Sequence, residues 1–335
     1  MARGPILDGM LHQLITSAGA YSAAIEWLLA ADGDCGYQPS VSYLTLTKLL
    51  GRPATDPDVV AARAAVNGSP FVAGTLDAMR PDGTWMDGEH GWVPIYNGAP
   101  WRLMLLGEMR SDPSDDRVRA AIERALAIQV ADGSFPYRGK SMKGSVLCYD
   151  GHLLRALLQL GYGDDPRVRR AVRAVAALTI GWTCRMNDRL PCAWGDEKAL
   201  GAFAELTPEQ RGAPSVARAV EDAARRLLAR DLAVADYPCN NRVSPQWFRL
   251  TLRRDFRGDI LEPLLALAGC GFGGDPRLAQ AVDFVAAKAG PDGRWRLEAP
   301  VRGAVPAFDP TGAPSKWVTL QALRVLKAWG RLGHS

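Results

Sequence analysis

One helix, written into the chain several times, limits the fold more than any other feature. Residues 115–129 (DDRVRAAIERALAIQ), 165–179 (DPRVRRAVRAVAALT) and 275–289 (DPRLAQAVDFVAAKA) are variants of a single segment, and 56–70 and 213–227 are weaker copies. The Asp-Pro or Asp-Asp opening suits a helix start, since Asp accepts from free N–H groups and Pro fits the first turn. Apolar residues then recur at three- and four-residue spacing. A second helical segment precedes each copy, at 42–51, 99–109, 148–161, 193–206 and 259–271, and a further one ends the chain at 315–330. The links repeat as well: RPDGTW (80–85), VADGSF (130–135) and GPDGRW (290–295) set an Asp-Gly turn before an aromatic ring, and ADGDCGY (31–37) is a degenerate copy. Glycine supplies the left-handed conformation such a turn requires.

A two-helix unit recurring every fifty to sixty residues or so reads as a helical-hairpin array. Several of the preceding segments are apolar around much of their circumference and belong inside, with the Arg-rich copies outside. An open array needs capped ends. Here an N-terminal helix at about 10–30 and the last helix at 315–330 each lack a partner, and pairing them closes a ring. The expectation is an all-α fold: a single (α/α)6 toroid domain over 1–335, with six inner and six outer helices and the hairpin repeats at about 40–331.

Composition removes several classes of function. The chain is 47% hydrophobic and 23% charged with a net charge of +4, and its basic residues are scattered, so no nucleic-acid groove is expected. No apolar stretch approaches the ~20 residues that span a bilayer. The first residues lack the apolar run of a signal peptide, so a cytoplasmic protein is expected. Six cysteines in 335 residues do not make a disulfide scaffold, which leaves core packing, metal ligation or chemistry.

The polar residues that invite chemistry concentrate at 148–192 and at the starts of the inner segments. Asp150 falls in the first turn of one such segment. An apolar cavity raises its pKa by desolvation while the helix N-terminus lowers it, so it reads either as a general acid or as a capping residue. Asp259, with Glu262 three residues on, is a second acidic candidate, against capping and pairing with nearby arginines. Cys148, Cys184 and Cys192, with Asp150 or His152 as a fourth ligand, offer zinc a thiolate-rich shell, or are small buried apolar residues. Trp101, Trp194 and Trp317 are placed to line a cavity for an apolar substrate. Arg102, Lys198 and Lys316, near the same helix ends, are candidates to receive an anionic group. No G-x-S-x-G elbow or Walker loop is present.

The stretch Gln129-Val-Ala-Asp-Gly-Ser-Phe135 resembles the QW-type repeat of terpenoid cyclases and the related repeats of protein prenyltransferase β-subunits. The loops ending at Trp85 and Trp295 are looser copies without the Gln, and the likeness runs from about 40 to 331. PSKWVTLQALRVLK (314–327) and LPCAWG (190–195) are similar to segments of bacterial prenyltransferase-like proteins. The resemblance implies an α/α toroid and an isoprenoid substrate. Cyclases that begin by protonation carry Asp-x-Asp-Asp, whose nearest counterpart here is Cys148-Tyr-Asp150-Gly, with both flanking carboxylates missing. Prenyltransferases carry Asp-x-Cys-Tyr for zinc, and here Val146 replaces the Asp ahead of Cys148-Tyr149. The leading expectation is a terpenoid cyclase-like enzyme that performs acid-initiated cyclisation or isomerisation of a hydrophobic substrate in the central cavity, with Asp150 as acid. The alternatives are a zinc-dependent prenyl or alkyl transferase and a non-catalytic toroid that binds lipid or a partner. A partner subunit is compatible with each.

Overall fold

The computed structural model describes residues 21–30, 36, 38–86, 94–138, 143–235, 244–252, 257–301 and 309–332. It is all-α apart from a two-residue hairpin. In chain order, α1 (Ser22–Leu29) precedes α2 (Pro39–Leu44), which continues as a π-helical turn over Thr45–Leu49. Then come α3 (Pro57–Ala65), α4 (Pro70–Asp77), α5 (Ala99–Glu108) and α6 (Asp116–Leu126). Strands β1 (Tyr137–Arg138) and β2 (Lys143–Gly144) pair antiparallel ahead of α7 (Leu147–Gln159) and α8 (Pro166–Thr179). The chain goes on through α9 (Ala193–Phe203), α10 (Pro208–Arg211) and α11 (Pro214–Leu228). It ends with α12 (Leu261–Leu267), which runs into a π-helical Ala268–Phe272, then α13 (Ala279–Ala286) and α14 (Lys316–Ala328). Of the helix expected at about 10–30, residues 1–20 lie outside the described residues, as does most of the 31–37 link.

The repeated opening performs the job its residues suggest. Asp56, Asp115, Asp165 and Asp275 each accept the backbone N–H two residues on, at 2.7–2.9 Å, worth about 1 kcal/mol per cap. The Asp-Gly links also share one geometry. Gly83, Gly133 and Gly293 close their turns with N–H bonds to Arg80, Val130 and Gly290, and Asp82, Asp132 and Asp292 accept from Thr84, Ser134 and Arg294. Gln129 donates from Nε2 to the Gly133 and Arg167 carbonyls, both at 2.9 Å, so it ties the turn to the start of α8. At Gly133 (φ +94°) a Cβ would stand 2.6 Å from the Arg170 carbonyl oxygen. The turn therefore packs against α8 at a distance that excludes a side chain.

Elements α2, α5, α7, α9, α12 and α14 form the inner layer. Neighbours pack in the order α5, α7, α9, α12, α14, and α14 returns to α1 and α2. Helices α3, α6, α8 and α11 pack outside α2, α5, α7 and α9 respectively. One apolar core runs from Ala24 to Leu326. The expectation of an apolar inner layer holds only in part. Every residue of α5 and α9 is buried, and these include Arg102, Glu108, Asp196, Glu197 and Lys198. The inner layer thus carries ionised groups in its interior, which is tolerated only where each is paired or hydrogen-bonded.

Candidate functional site

The inner elements surround a cavity of about 200 Å³. One part of its wall is apolar, built from Leu261, Leu265 and Ala266 of α12 with Leu252 and Trp317. The other part is charged, with Lys48, Glu108, Arg155, Glu205, Glu262 and Arg324. Each of α2 with its π turn, α5, α7, α9, α12 and α14 contributes a lining residue.

Three carboxyls occupy comparable places near the starts of inner helices, and each is engaged differently. Asp150, fully buried, accepts the Phe135 N–H at 2.7 Å and the Val146 N–H at 3.0 Å. Burial pushes its pKa up to about 7, against the pull of those two donors. Thr319 stands at the same distance from the start of α14 and accepts the Trp295 N–H at 2.9 Å. A hydroxyl in one repeat and a carboxyl in another therefore secure the aromatic residue of the link to the inner helix. Asp150 thus ties the link to the inner helix, and it is not among the cavity-lining residues. Asp259 does line the cavity, and its oxygens accept the Thr251 and Leu261 N–H groups at 2.8 and 3.0 Å. Asp196 is clamped by Arg226 of α11, whose Nη2 and Nε lie 2.6 and 3.0 Å from its two oxygens.

The anion-receiving cations expected at these helix starts are instead internal ties. Lys316 is buried, donates at 2.8 Å to the Ala30 and Gly36 carbonyls, and sits 5.6 Å from the centre of the Trp27 ring. Lys198 is buried and ion-paired to Glu262. Arg102 and His152 are buried too, and neither lines the cavity. Of the expected aromatic wall, Trp317 alone lines the cavity. Trp101 packs into the core, with its ring edge-on to Tyr96 at 5.4 Å and tilted to Tyr149, and Trp194 is buried in α9.

The three cysteines do not assemble a ligand shell. Cys184 and Cys192 are neighbours across the loop closed by the Cys184–Leu190 bridge, and Cys148 lies on α7. Burial pushes the Cys148 thiol well up, and the adjacent Cys192 does the same to Cys184. Among the described residues no three His, Cys, Asp or Glu side chains group so as to hold a metal ion. The zinc expectation therefore lacks a fitting donor set among these residues.

The pair that sequence reading passed over is Glu197 with Glu262. Glu197 is buried against Gly258, where even a Cβ would overlap its carboxyl. As a carboxylate it would have no hydrogen-bond donor on either oxygen among the described residues. The Lys198 ammonium stands 3.4 Å from its Oε1, an ion-pair contact outside hydrogen-bond geometry. Protonated, Glu197 donates to Glu262. Burial, opposed by Lys198 and reinforced by Glu262, raises its pKa well above the usual range. Burial works in the same direction on Glu262, but Lys198 and Arg155 hold it below. With Glu197 raised and Glu262 lowered, the proton of the pair resides on Glu197. The one available signal was an adjacent Glu-Lys pair inside a helix that is otherwise buried all round.

No protein-family model and no curated protein matches the chain. Solved structures with similarity include an apo variant of the type II terpene cyclase MstE from Scytonema, at 16% identity over 80% of this chain and 75% of that one, with a TM-score of 0.43. A protein from Actinoplanes is 15% identical over 80% of this chain and 99% of that one, with a TM-score of 0.27. An MstE variant in complex with geranylgeranyl dihydroxybenzoate is 14% identical over 80% and 97%, with a TM-score of 0.29. Among the described residues no helix is long and apolar enough to cross a membrane.

Proposed function

We propose that the chain is a terpenoid cyclase-like enzyme that takes a small, largely apolar molecule into the cavity and initiates cyclisation or isomerisation by proton transfer from the Glu197–Glu262 pair. The observation that carries this reading is the buried Glu197 carboxyl, without a donor among the described residues, next to Glu262 on the wall of a cavity whose adjoining wall is apolar. The proton on Glu197 passes through Glu262 to a carbon–carbon double bond of the substrate. The cation that forms loses a proton from a neighbouring carbon, and that proton returns to the pair, so the enzyme is unchanged over the cycle. Lys198 keeps Glu262 ionised between turnovers, and Trp317 supplies a ring face toward developing positive charge. The likeness of residues 129–135 to the QW-type repeat supports an isoprenoid as the apolar part.

The test is incubation with prenyl alcohols and prenyl phosphates of graded length in deuterated buffer, followed by mass spectrometry of the products. The expected product is an isomer of the substrate carrying one solvent deuterium, and Glu262→Gln and Glu197→Gln abolish it while melting temperature shows both variants folded. Full turnover in Glu262→Gln, or a product without solvent deuterium, rules out the mechanism. Tight retention of prenyl alcohols without any turnover favours a non-catalytic binding toroid instead.

A further inference from the structure

Lys48, Arg155 and Arg324 on the cavity wall, with Arg110 and Lys198 behind it, make five cations against the four carboxyls of Glu108, Glu205, Asp259 and Glu262. Lys48 lies in the π turn after α2, Arg110 follows α5, and Arg155 and Arg324 lie in the later turns of α7 and α14. Arg110 takes Glu205 in a two-pronged pair at 2.6 and 3.2 Å. Arg155 takes Glu108 at 3.1 Å. Glu262 is already held by Lys198. The Arg324 guanidinium bonds to the neutral Gln321 Oε1 at 2.7 Å, and among the described residues neither it nor Lys48 closes an ion pair, although the Glu205 charge acts on both.

Helix C-termini attract cations, which offers a plain reason for basic residues here. Those ends have cations of their own, however. Lys327 donates to the Leu49 carbonyl at 2.7 Å, Arg211 to the Gly269 carbonyl at 2.6 Å, and Arg63 to the Ser111 carbonyl at 3.1 Å. Lys48 and Arg324 are surplus to that arrangement and line the cavity.

We infer that Lys48 and Arg324, with Arg155 and Arg110 behind them, form a binding site for a phosphate group at the charged part of the cavity. Phosphate fits because it is a dianion that accepts several charge-assisted hydrogen bonds, and guanidinium offers paired donors to it. The four cations also repel one another. Burial, with Arg110 and Arg155, holds the Arg324 pKa down to about 10 against the opposing charge of Glu205. A bound dianion relieves that repulsion. The phosphate is either free or esterified to an apolar chain lying along Leu261, Leu265 and Ala266; the second source rests on the proposed function, whereas the phosphate site itself does not.

Melting temperature and calorimetric titration of the full chain decide it, using orthophosphate, octyl phosphate, octanol and sodium chloride at matched ionic strength. Orthophosphate is expected to raise the melting temperature above chloride. Arg324→Gln and Lys48→Gln each weaken binding about tenfold or more, while Lys288→Gln, at the separate Glu298 pair, leaves it intact. Octyl phosphate that binds more tightly than orthophosphate, with no response to octanol alone, identifies an ester; equal affinities identify free phosphate. The site is refuted if phosphate acts no differently from chloride, or if both variants bind as the wild type does. Should Arg324→Gln fail to fold, Lys48→Gln decides the matter, because Lys48 is an exposed lining residue. Turnover of prenyl alcohols, which carry no phosphate, tests the Glu197–Glu262 chemistry separately.

Discussion

Asp150 allows the cost of a buried carboxyl to be read directly as a function of pH. Its oxygens hold the Phe135 and Val146 amides, and burial raises its pKa from 3.8 to about 7. The folded chain therefore keeps a proton that the unfolded chain releases. The stability this group contributes is complete below the unfolded value and is lost as pH rises through about 7. The full shift corresponds to about 4 kcal/mol. Asn at this position cannot ionise. It keeps an acceptor for one amide and turns its NH2 toward the other, which orphans a buried N–H at about 1–3 kcal/mol. Urea unfolding of wild type and Asp150→Asn, followed by far-ultraviolet circular dichroism, is expected to show the wild type ahead by that amount at about pH 4 or below. The gap should then shrink by several kcal/mol, about 4 at most, on approaching pH 8 or so. A gap that stays constant over the whole range refutes a protonated tether. Asp150→Thr is the complementary test: it copies Thr319, so it should keep the Phe135 bond and respond less to pH over this range than the wild type.

Gly133→Ala should cost upward of about 1 kcal/mol in a thermal melt, since a Cβ is strained at this backbone angle and meets the Arg170 carbonyl. A neutral result would mean that the turn moves away from α8 freely. Gly258→Ala should displace the Glu197 carboxyl and abolish turnover, with a smaller loss of stability than the loss of rate implies; unaltered turnover would detach Glu197 from the chemistry. Incubation with a zinc chelator should leave the melting temperature unchanged, because Cys184 and Cys192 are buried free thiols and Cys148 is a half-buried one. A melting temperature that falls on chelation, and that zinc restores, would overturn this.

The parts of the fold that were legible in the sequence are those whose cause is local. An Asp that accepts from the residue two ahead, and an Asp-Gly turn that closes on itself, carry their partners in the same six residues, so the outer helices and links could be placed. The inner helices were legible as apolar segments, although α4 and α10 were not, being short and outside the repeat. The site was less legible because its energetics are non-local. Lys198 looked like an anion receptor until Glu262 arrived from 64 residues away. Arg102 and Lys316 share helix starts with the cavity but face the core. Arg110 and Glu205, 95 residues apart, carry no mutual signal in the sequence. Asp150 was found for its position, while its tie to the Phe135 link was not legible, because the comparison with Thr319 requires both links to be seen in place.

Lys316 fastens the last inner helix to carbonyls 280 and 286 residues earlier, Lys327 reaches Leu49 across 278, and Gln38 reaches Asp309 across 271. Contacts of such sequence separation form late, because the chain between them must be ordered first. During synthesis α7, α9, α12 and α14 can each pack on the inner helix before them as they emerge, whereas the contact of α2 with α14 has to wait for almost the whole chain to be made. Until then its apolar flank and the charges around the cavity are open to water. The joint between first and last helices is consequently where a nascent chain is most exposed to aggregation. It is also where a permuted chain, with its old ends linked and new ones cut in an outer loop, would gain most in folding rate.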